Sequence, residues 1–284
     1  MDLPDIRGRD GVTHKLGYVP PTKDETMVRA SRTNIQTIRK QNGLSPLIKP
    51  GDPDWRECDY TAGAPLELIT DQGQEGSCTA WTCVGAQARQ RWLRVGDVVV
   101  ASGYYVYDCI NGGQDNGSNI IASQKIIETV GAPPIDAYPR CRYPGYIPAV
   151  PDGTLMYRED VAIVGATALE AATMLLMGML FQGPIYVDNS FDNFTRDGVA
   201  WNGYPPNTTS TNHSVYFAGI RFLNGDPENW YLILVNSWRY NWGPWGNGCC
   251  LCPPDGINNG ARADDGYGHA SVLKPVPSGS EGLP

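Results

Sequence analysis

An α+β fold of two unlike lobes is what this sequence predicts, and three observations predict it. Apolar residues recur at helical spacing through residues 78–130, whereas short β-rich runs separated by Gly, Asn and Pro dominate after residue 185. Hydrophobic content of 41% against 18% charged residues, over 284 residues, is enough for a substantial packed core. The 33 glycines and 23 prolines imply many turns and irregular segments between the elements.

The elements follow in order. Residues 1–50 read as an arm. A helix is expected over 23–41, with Thr22 and Glu25 as a capping box and Val28, Ser31, Ile35 and Ile38 as a narrow apolar stripe. Asn42-Gly43 ends it, and Arg29, Arg32, Arg39 and Lys40 give it a basic surface. Residues 78–94 carry Trp81, Val84, Ala88 and Trp92 at helical spacing. Residues 119–130 carry Ile120, Ile127 and Val130 and stop at Gly131 before Pro133-Pro134. A third helix is expected over 167–182, with Thr167 and Glu170 as a capping box and Gly183-Pro184 as its end. Strands are expected at 185–187, 214–222 and 230–235. The expected division is an arm at 1–54, a helical lobe at 55–165, a β-rich lobe at 166–274 and a polar surface tail at 275–284.

Composition excludes several functions. A net charge of −8 argues against a nucleic-acid surface. Residues 161–181 approach membrane-spanning length, but Glu170 sits at their centre with Thr167 and Thr173 beside it, so no membrane partner is expected. The first residues lack a basic start and an apolar core, so no signal peptide is read, and a cytoplasmic or particle-associated placement is expected. Most of the 8 cysteines are then expected as buried reduced thiols. Cys249-Cys250-Leu251-Cys252 lacks zinc-knuckle spacing and a nearby histidine, so packed thiols are expected there; no metal or cofactor is called for. Asn116, Asn193, Asn207 and Asn212 match the glycosylation sequon and read as chance matches. The Trp81, Trp92, Trp201 and Trp230 side chains and the Met174, Met177 and Met179 set read as core filling.

The chemistry centres on Cys78. Asp71-Gln72-Gly73-Gln74-Glu75-Gly76-Ser77-Cys78-Thr79-Ala80-Trp81 is a glycine-punctuated turn running into a helix, where backbone N–H groups and the helix dipole favour a thiolate. Gln72, six residues upstream, can turn its amide toward the same reacting centre. A thiol nucleophile needs a base, and the base an orienting partner. Of the 3 histidines, His14 lies in the arm and His269 in the polar tail, which leaves His213 at the mouth of an expected strand. Asn236, at the end of the strand 230–235, can accept from the imidazole and hold it.

These residues resemble a known family. Gln72…Gly76-Ser77-Cys78, Asn212-His213-Ser214-Val215 and Asn236-Ser237-Trp238…Trp242-Gly243…Gly246 resemble the papain-like cysteine peptidases, with His213 and Asn236 lying 135 and 158 residues beyond the cysteine. Tyr104-Tyr105 through Gly131, and Tyr138-Pro139, resemble the bacterial and viral branch. The resemblance covers about residues 55–260. It implies the papain-like two-lobe fold, with Cys78 on the helical lobe and His213 and Asn236 on the β-rich lobe. It implies Cys78 as nucleophile, His213 as base and later acid, Asn236 as its orienter, Gln72 and the Cys78 N–H as oxyanion hole, and Trp238 as a lid over the Asn236–His213 contact. The substrate would be a peptide or protein, and residues 1–50 a pro-like segment or a docking element for an assembly partner. The alternative is a structural or assembly component, for example of a phage particle, built on a papain-like fold with weak or no peptidase activity. The sequence departs from the family at Thr79, where a bulky aromatic is usual. It departs again at Glu75, in place of a cysteine, where an inward acid would raise the thiol pKa. Arg239 replaces a glycine, and Gly248-Cys249-Cys250 a Gly-Tyr strand entry.

Overall fold

The computed structural model describes residues 5–7, 11–19, 33–140, 149–159, 162–203, 211–258, 266–269 and 274–277. Their strands are β1 (Asp5–Arg7), β2 (Thr13–Lys15), β3 (Cys58–Asp59), β4 (Leu155–Arg158), β5 (Ala162–Gly165), β6 (Leu180–Ile185), β7 (His213–Phe222), β8 (Trp230–Val235), β9 (Cys249–Cys252), β10 (Gly266–His269) and β11 (Lys274–Pro277). Their α-helices are α1 (Ile35–Gln41), α2 (Cys78–Val95), α3 (Gly103–Asn111), α4 (Ile120–Thr129), α5 (Ala168–Leu176) and α6 (Pro254–Asn258).

The helical lobe is α2, α3 and α4 packed around Trp81, Val84, Tyr105, Val106, Ile127 and Tyr138. Helix α2 ends on Gly96, a left-handed cap whose N–H reaches the Trp92 carbonyl, and Asn119 caps α4 by accepting from the Ala122 N–H at 2.8 Å. Helix α3 falls in the Tyr104–Gly131 stretch; the Ser102 hydroxyl caps it, accepting from the Tyr105 N–H.

The β-rich lobe is a mostly antiparallel sheet in the order β5-β10-β6-β7-β8-β9, with β3 beside the far end of β7. Its spine is β6–β7–β8, where Ile185 pairs with His213 and Tyr216 with Val235. This register sets His213 at the open end of β7 and brings Asn236, just past β8, alongside it. Strand β9 is the expected row of packed thiols, buried throughout. Every cysteine among the described residues is free.

Several expectations are corrected. The helix expected over 23–41 is described only as α1: Asn34 is extended (φ −88°, ψ 148°), caps the helix and bridges to Val164, so the helix starts there, and Thr22 and Glu25 lie outside the described residues. Arg39, assigned to a basic surface, is buried and donates from Nε to the Ser45 carbonyl at 2.6 Å. The Thr167–Glu170 capping box is present, but α5 stops at Leu176. Gly178 (φ +78°) turns the chain, and Leu180 to Ile185, including the Gly183-Pro184 pair expected to end the helix, is strand β6. Met177 is 39% exposed rather than core. The tail is hydrogen-bonded to β4 at its start, through β11.

His269, read as a surface residue, is wholly buried in β10 and sits 2.9 Å from Glu159 through Nδ1. The same Glu159 Oε2 accepts from the Gln87 and Gln124 amides at 2.9 and 2.8 Å, which ties α2, α4 and β10 to one carboxylate. Glu159→Ala removes from the core the acceptor shared by the Gln87 and Gln124 amides and the partner of the His269 ring, while Gln124 keeps Glu128 and Gln87 keeps Cys83. It is expected to cost about 3 kcal/mol and to lower the unfolding temperature by roughly 6–12 °C in a thermal scan. An unmoved midpoint would contradict this role.

Candidate active site

Cys78 is the first residue of α2, and its sulfur is fully buried. Burial pushes the thiol up to about 11, against the opposing pull of the backbone N–H groups of Ser214, Gly17, Thr79 and Cys78 itself. Desolvation, rather than Glu75, is the leading cause. The Ser214 contact places the sulfur against the residue that follows His213.

His213 is equally buried, and its Nε2 lies 2.8 Å from Asn236 Oδ1. The Ser237 N–H also donates to that Asn236 atom, at 2.9 Å, which identifies it as the carbonyl oxygen. Nε2 therefore carries the proton of the neutral ring, and Nδ1 carries the lone pair. Among the described residues Nδ1 has no hydrogen-bond partner. Burial also holds the His213 pKa down to about 4, helped by the nearby His14 and opposed by the bond to Asn236. Thiol and imidazole are thus both neutral in this arrangement.

Gln72 is fixed from both sides. Its Oε1 accepts from the Ser237 hydroxyl at 2.7 Å and its backbone N–H donates to the Ser237 carbonyl at 2.9 Å, while Nε2 donates to the Glu75 carbonyl at 2.8 Å and keeps its second hydrogen for a further acceptor. Trp238 is tilted over His213 with ring centroids 5.1 Å apart, and Phe191 meets it edge-on at 5.8 Å, so aromatic rings cover His213. Arg239 adopts φ +71°, a left-handed conformation unfavourable for arginine, and its Nε bonds Asp71 Oδ2 at 2.5 Å. Thr79 directs its hydroxyl to Ser118 and receives one from Ser123 at 3.0 Å.

Sequence reasoning missed two sets of residues. One is Gln182, whose Nε2 donates to the Thr79 carbonyl and Thr82 Oγ1 at 2.9 Å and to Ser214 Oγ at 3.3 Å. It ties the turn after Cys78 to the residue after His213. A glutamine inside an apolar strand is the one signal that could have drawn attention to it.

The other set is the arm. Residues 13–19 lie across the nucleophile. His14 stacks on Trp238 with centroids 4.4 Å apart and planes 8° from parallel, and its Nδ1 is 3.2 Å from the Gly73 carbonyl. The Lys15 carbonyl accepts from Gln72 Nε2 at 3.2 Å, so it takes up the amide expected to serve an oxyanion. Gly17 and Val19 exchange backbone bonds with Ser118 at 2.7 and 2.8 Å, and the Tyr18 N–H donates to the Asn212 carbonyl. The Tyr18 ring fills an apolar pocket with Ile120, Ile121, Val164 and Tyr267, next to Cys78. A Cβ on Gly17 would meet the Gly76 carbonyl oxygen at 1.6 Å, so only glycine permits this approach. No pattern in an irregular segment signals such a contact. Tyr138, of the Tyr138-Pro139 pair, lies in the core, with its hydroxyl on Asp108 at 2.6 Å.

The fold carries a pH dependence. In the unfolded chain the imidazole takes a proton near its ordinary 6.5, in the covered site only near 4. The stability that rests on a neutral His213 is therefore full above 6.5 and is lost as pH falls toward 4, by roughly 3 kcal/mol. The difference in unfolding free energy between the full chain and His213→Ala should shrink over that window; a constant difference would contradict it.

The comparisons agree with this geometry. The family described as "Papain family cysteine protease" matches residues 49–249. Procathepsin L of Mus musculus is 29% identical over 209 residues, covering 68% of this chain, and that of Rattus norvegicus is 28% identical over the same share. The chain spans 58% of the length of these two relatives. Procathepsin L2 and procathepsin L 3 of the Tenebrio molitor larval midgut superpose with TM-scores of 0.62 and 0.57, at 19% and 22% identity. They cover 92% and 89% of this chain, and 78% and 79% of their own lengths. Bromelain of Ananas comosus, solved with the E64 inhibitor, superposes at 0.57 with 18% identity, over 77% of this chain and 98% of its own. With a helical lobe that carries Cys78, a β-rich lobe that carries His213 and Asn236, and a family match over most of its length, the chain belongs to the papain family of cysteine proteases.

Proposed function

We propose that this chain is a cysteine endopeptidase held latent by its own residues 13–19. The carrying observation is that one site gathers Cys78, whose sulfur meets the Ser214 N–H, the His213–Asn236 bond and the Gln72 amide bonded to Ser237. In the reaction His213 Nδ1 takes the Cys78 proton, and the sulfur attacks a peptide carbonyl. The oxyanion forms against Gln72 Nε2 and the Cys78 N–H. The imidazolium protonates the leaving amine, and water activated by the same imidazole releases the thioester. Asn236 holds the ring without adding charge, and Trp238 keeps water off their bond.

Latency is supported by the arm. Its Lys15 carbonyl sits where the oxyanion would form, and its cover leaves the thiol and imidazole neutral rather than ion-paired. Removing the cover hydrates both groups, which lowers the thiol pKa and raises that of the imidazole, so a proton moves from Sγ to Nδ1. A segment seated in its own cleft is a different use of residues 1–50 from docking a foreign partner. The free cysteines are consistent with a reducing compartment. Among the described residues no helix is long and apolar enough to cross a membrane.

The test is hydrolysis of an internally quenched peptide library by the purified chain and by Cys78→Ala. Slow turnover that grows as the arm is lost, and is absent in Cys78→Ala at unchanged melting temperature, is expected. Turnover surviving that change would refute the assignment. An inert protein with an unreactive Cys78, arm displaced, would favour an inactive fold kept for assembly.

A further inference from the structure

Lys15 touches the active site twice. Its carbonyl accepts from Gln72 Nε2 at 3.2 Å, and its ammonium lies 2.6 Å from Asp115 Oδ2. Asp115 is held for this contact. Its other oxygen, Oδ1, accepts from the Gly76 N–H, two residues before the nucleophile, and from the Tyr107 hydroxyl, both at 2.9 Å. The carboxylate is thereby locked to the turn that carries Cys78, with Oδ2 left for a cation. Asp115 and Lys15 remain 31% and 40% exposed, so the pair sits at the rim of the cleft rather than in the core. Glu75 adds further attraction on the ammonium from the same turn.

We propose that Asp115, flanked by Glu75, is a specificity subsite for a lysine or arginine side chain on the substrate residue whose carbonyl meets Gln72, so that cleavage falls on the carboxyl side of basic residues. The proposal rests on the peptidase reading above. One arm residue occupies the oxyanion donor with its carbonyl and the carboxylate with its side chain, and so gauges the span between the two: one lysine reaches both. Once the arm leaves, Asp115 Oδ2 loses this cation, and a basic substrate side chain restores the charge-assisted bond. A neutral side chain of the same length leaves the carboxylate facing the cleft alone. The chain's net charge of −8 draws basic peptides in the same direction.

The test uses the full chain carrying Gly17→Ala, and separately Lys15→Gln, to displace the arm. Two peptidyl chloromethyl ketones are compared that differ only in lysine or norleucine beside the reactive carbon. The Cys78 sulfur displaces chloride, and mass spectrometry reads the rate without requiring turnover. The lysine reagent should label Cys78 at least about tenfold faster. Asp115→Asn keeps an oxygen for Gly76 and Tyr107 while removing the charge, and should bring the ratio to within about threefold of one. The norleucine rate in that variant reports whether the site still folds. Equal rates for the two reagents before Asp115 is changed would overturn the subsite and leave the peptidase reading standing. A lysine preference that survives Asp115→Asn would overturn the assignment to Asp115. No labelling by either reagent in either arm variant would sink the peptidase reading and the subsite with it.

Discussion

Gly17→Ala should raise both peptide hydrolysis and Cys78 alkylation at pH 7 by at least a factor of about 100. The added methyl has nowhere to go. Its carbon would lie 1.6 Å from the Gly76 carbonyl oxygen and 2.1 Å from the carbonyl carbon, both backbone atoms of the turn that holds the nucleophile. That turn is itself fixed, since the Gly76 N–H donates to Asp115 at 2.9 Å. The arm must therefore lift, and with it go the Lys15 carbonyl on Gln72 and the Tyr18 ring beside Cys78. Covered, the thiol titrates near 11, so only about one molecule in ten thousand carries a thiolate at pH 7. Uncovered, the sulfur keeps the Ser214, Thr79 and Cys78 N–H groups, gains water and has a neutral imidazole ready to take its proton. The lower nucleophilicity of a low-pKa thiolate trims the gain, which is why a hundredfold is expected rather than the full ratio. Unchanged activity in Gly17→Ala would mean that the arm does not control the site.

His213→Ala, made in the same opened protein, should reduce hydrolysis by roughly a thousandfold. The imidazole is the sole histidine hydrogen-bonded to Asn236, and its Nδ1 lone pair is the base available to the thiol. His14 is also close, stacked on Trp238, but it belongs to the arm and leaves with it. The loss should appear in kcat and kcat/KM together, because the proton transfers occur only in the transition states. A loss confined to KM would show that His213 binds substrate rather than moving protons.

Much of the candidate site was legible in the sequence because each member sits beside residues that fix its local geometry. Cys78 follows a glycine-rich turn and opens a helix. His213 begins a strand and Asn236 ends one, and the β7–β8 pairing brings them together. What stayed illegible depends on contacts far apart in the chain. His14 and Lys15 gain their roles from Trp238 and Asp115, 224 and 100 residues away. His269 reads as a tail residue until β10 inserts between β5 and β6. The error over 167–182 has a local cause: apolar Leu180 and Phe181 continue the helical pattern, and the turn at Gly178 decides that they belong to a strand. Glu75 looked like an isolated departure from the family pattern, and Asp115 carried no signal of its own. Only the ammonium of Lys15 relates them to one place.

The most direct test of a Cys78–His213 pair held neutral by the arm is the rate of Cys78 alkylation from pH 5 to 9, resolved by mass spectrometry, in the full chain and in Gly17→Ala. The account predicts slow labelling of the full chain, rising with pH as for a thiol near 11, and fast labelling of Gly17→Ala already at pH 6 that His213→Ala abolishes. Equal labelling of the two proteins at pH 6, or a fast rate indifferent to His213, would contradict it.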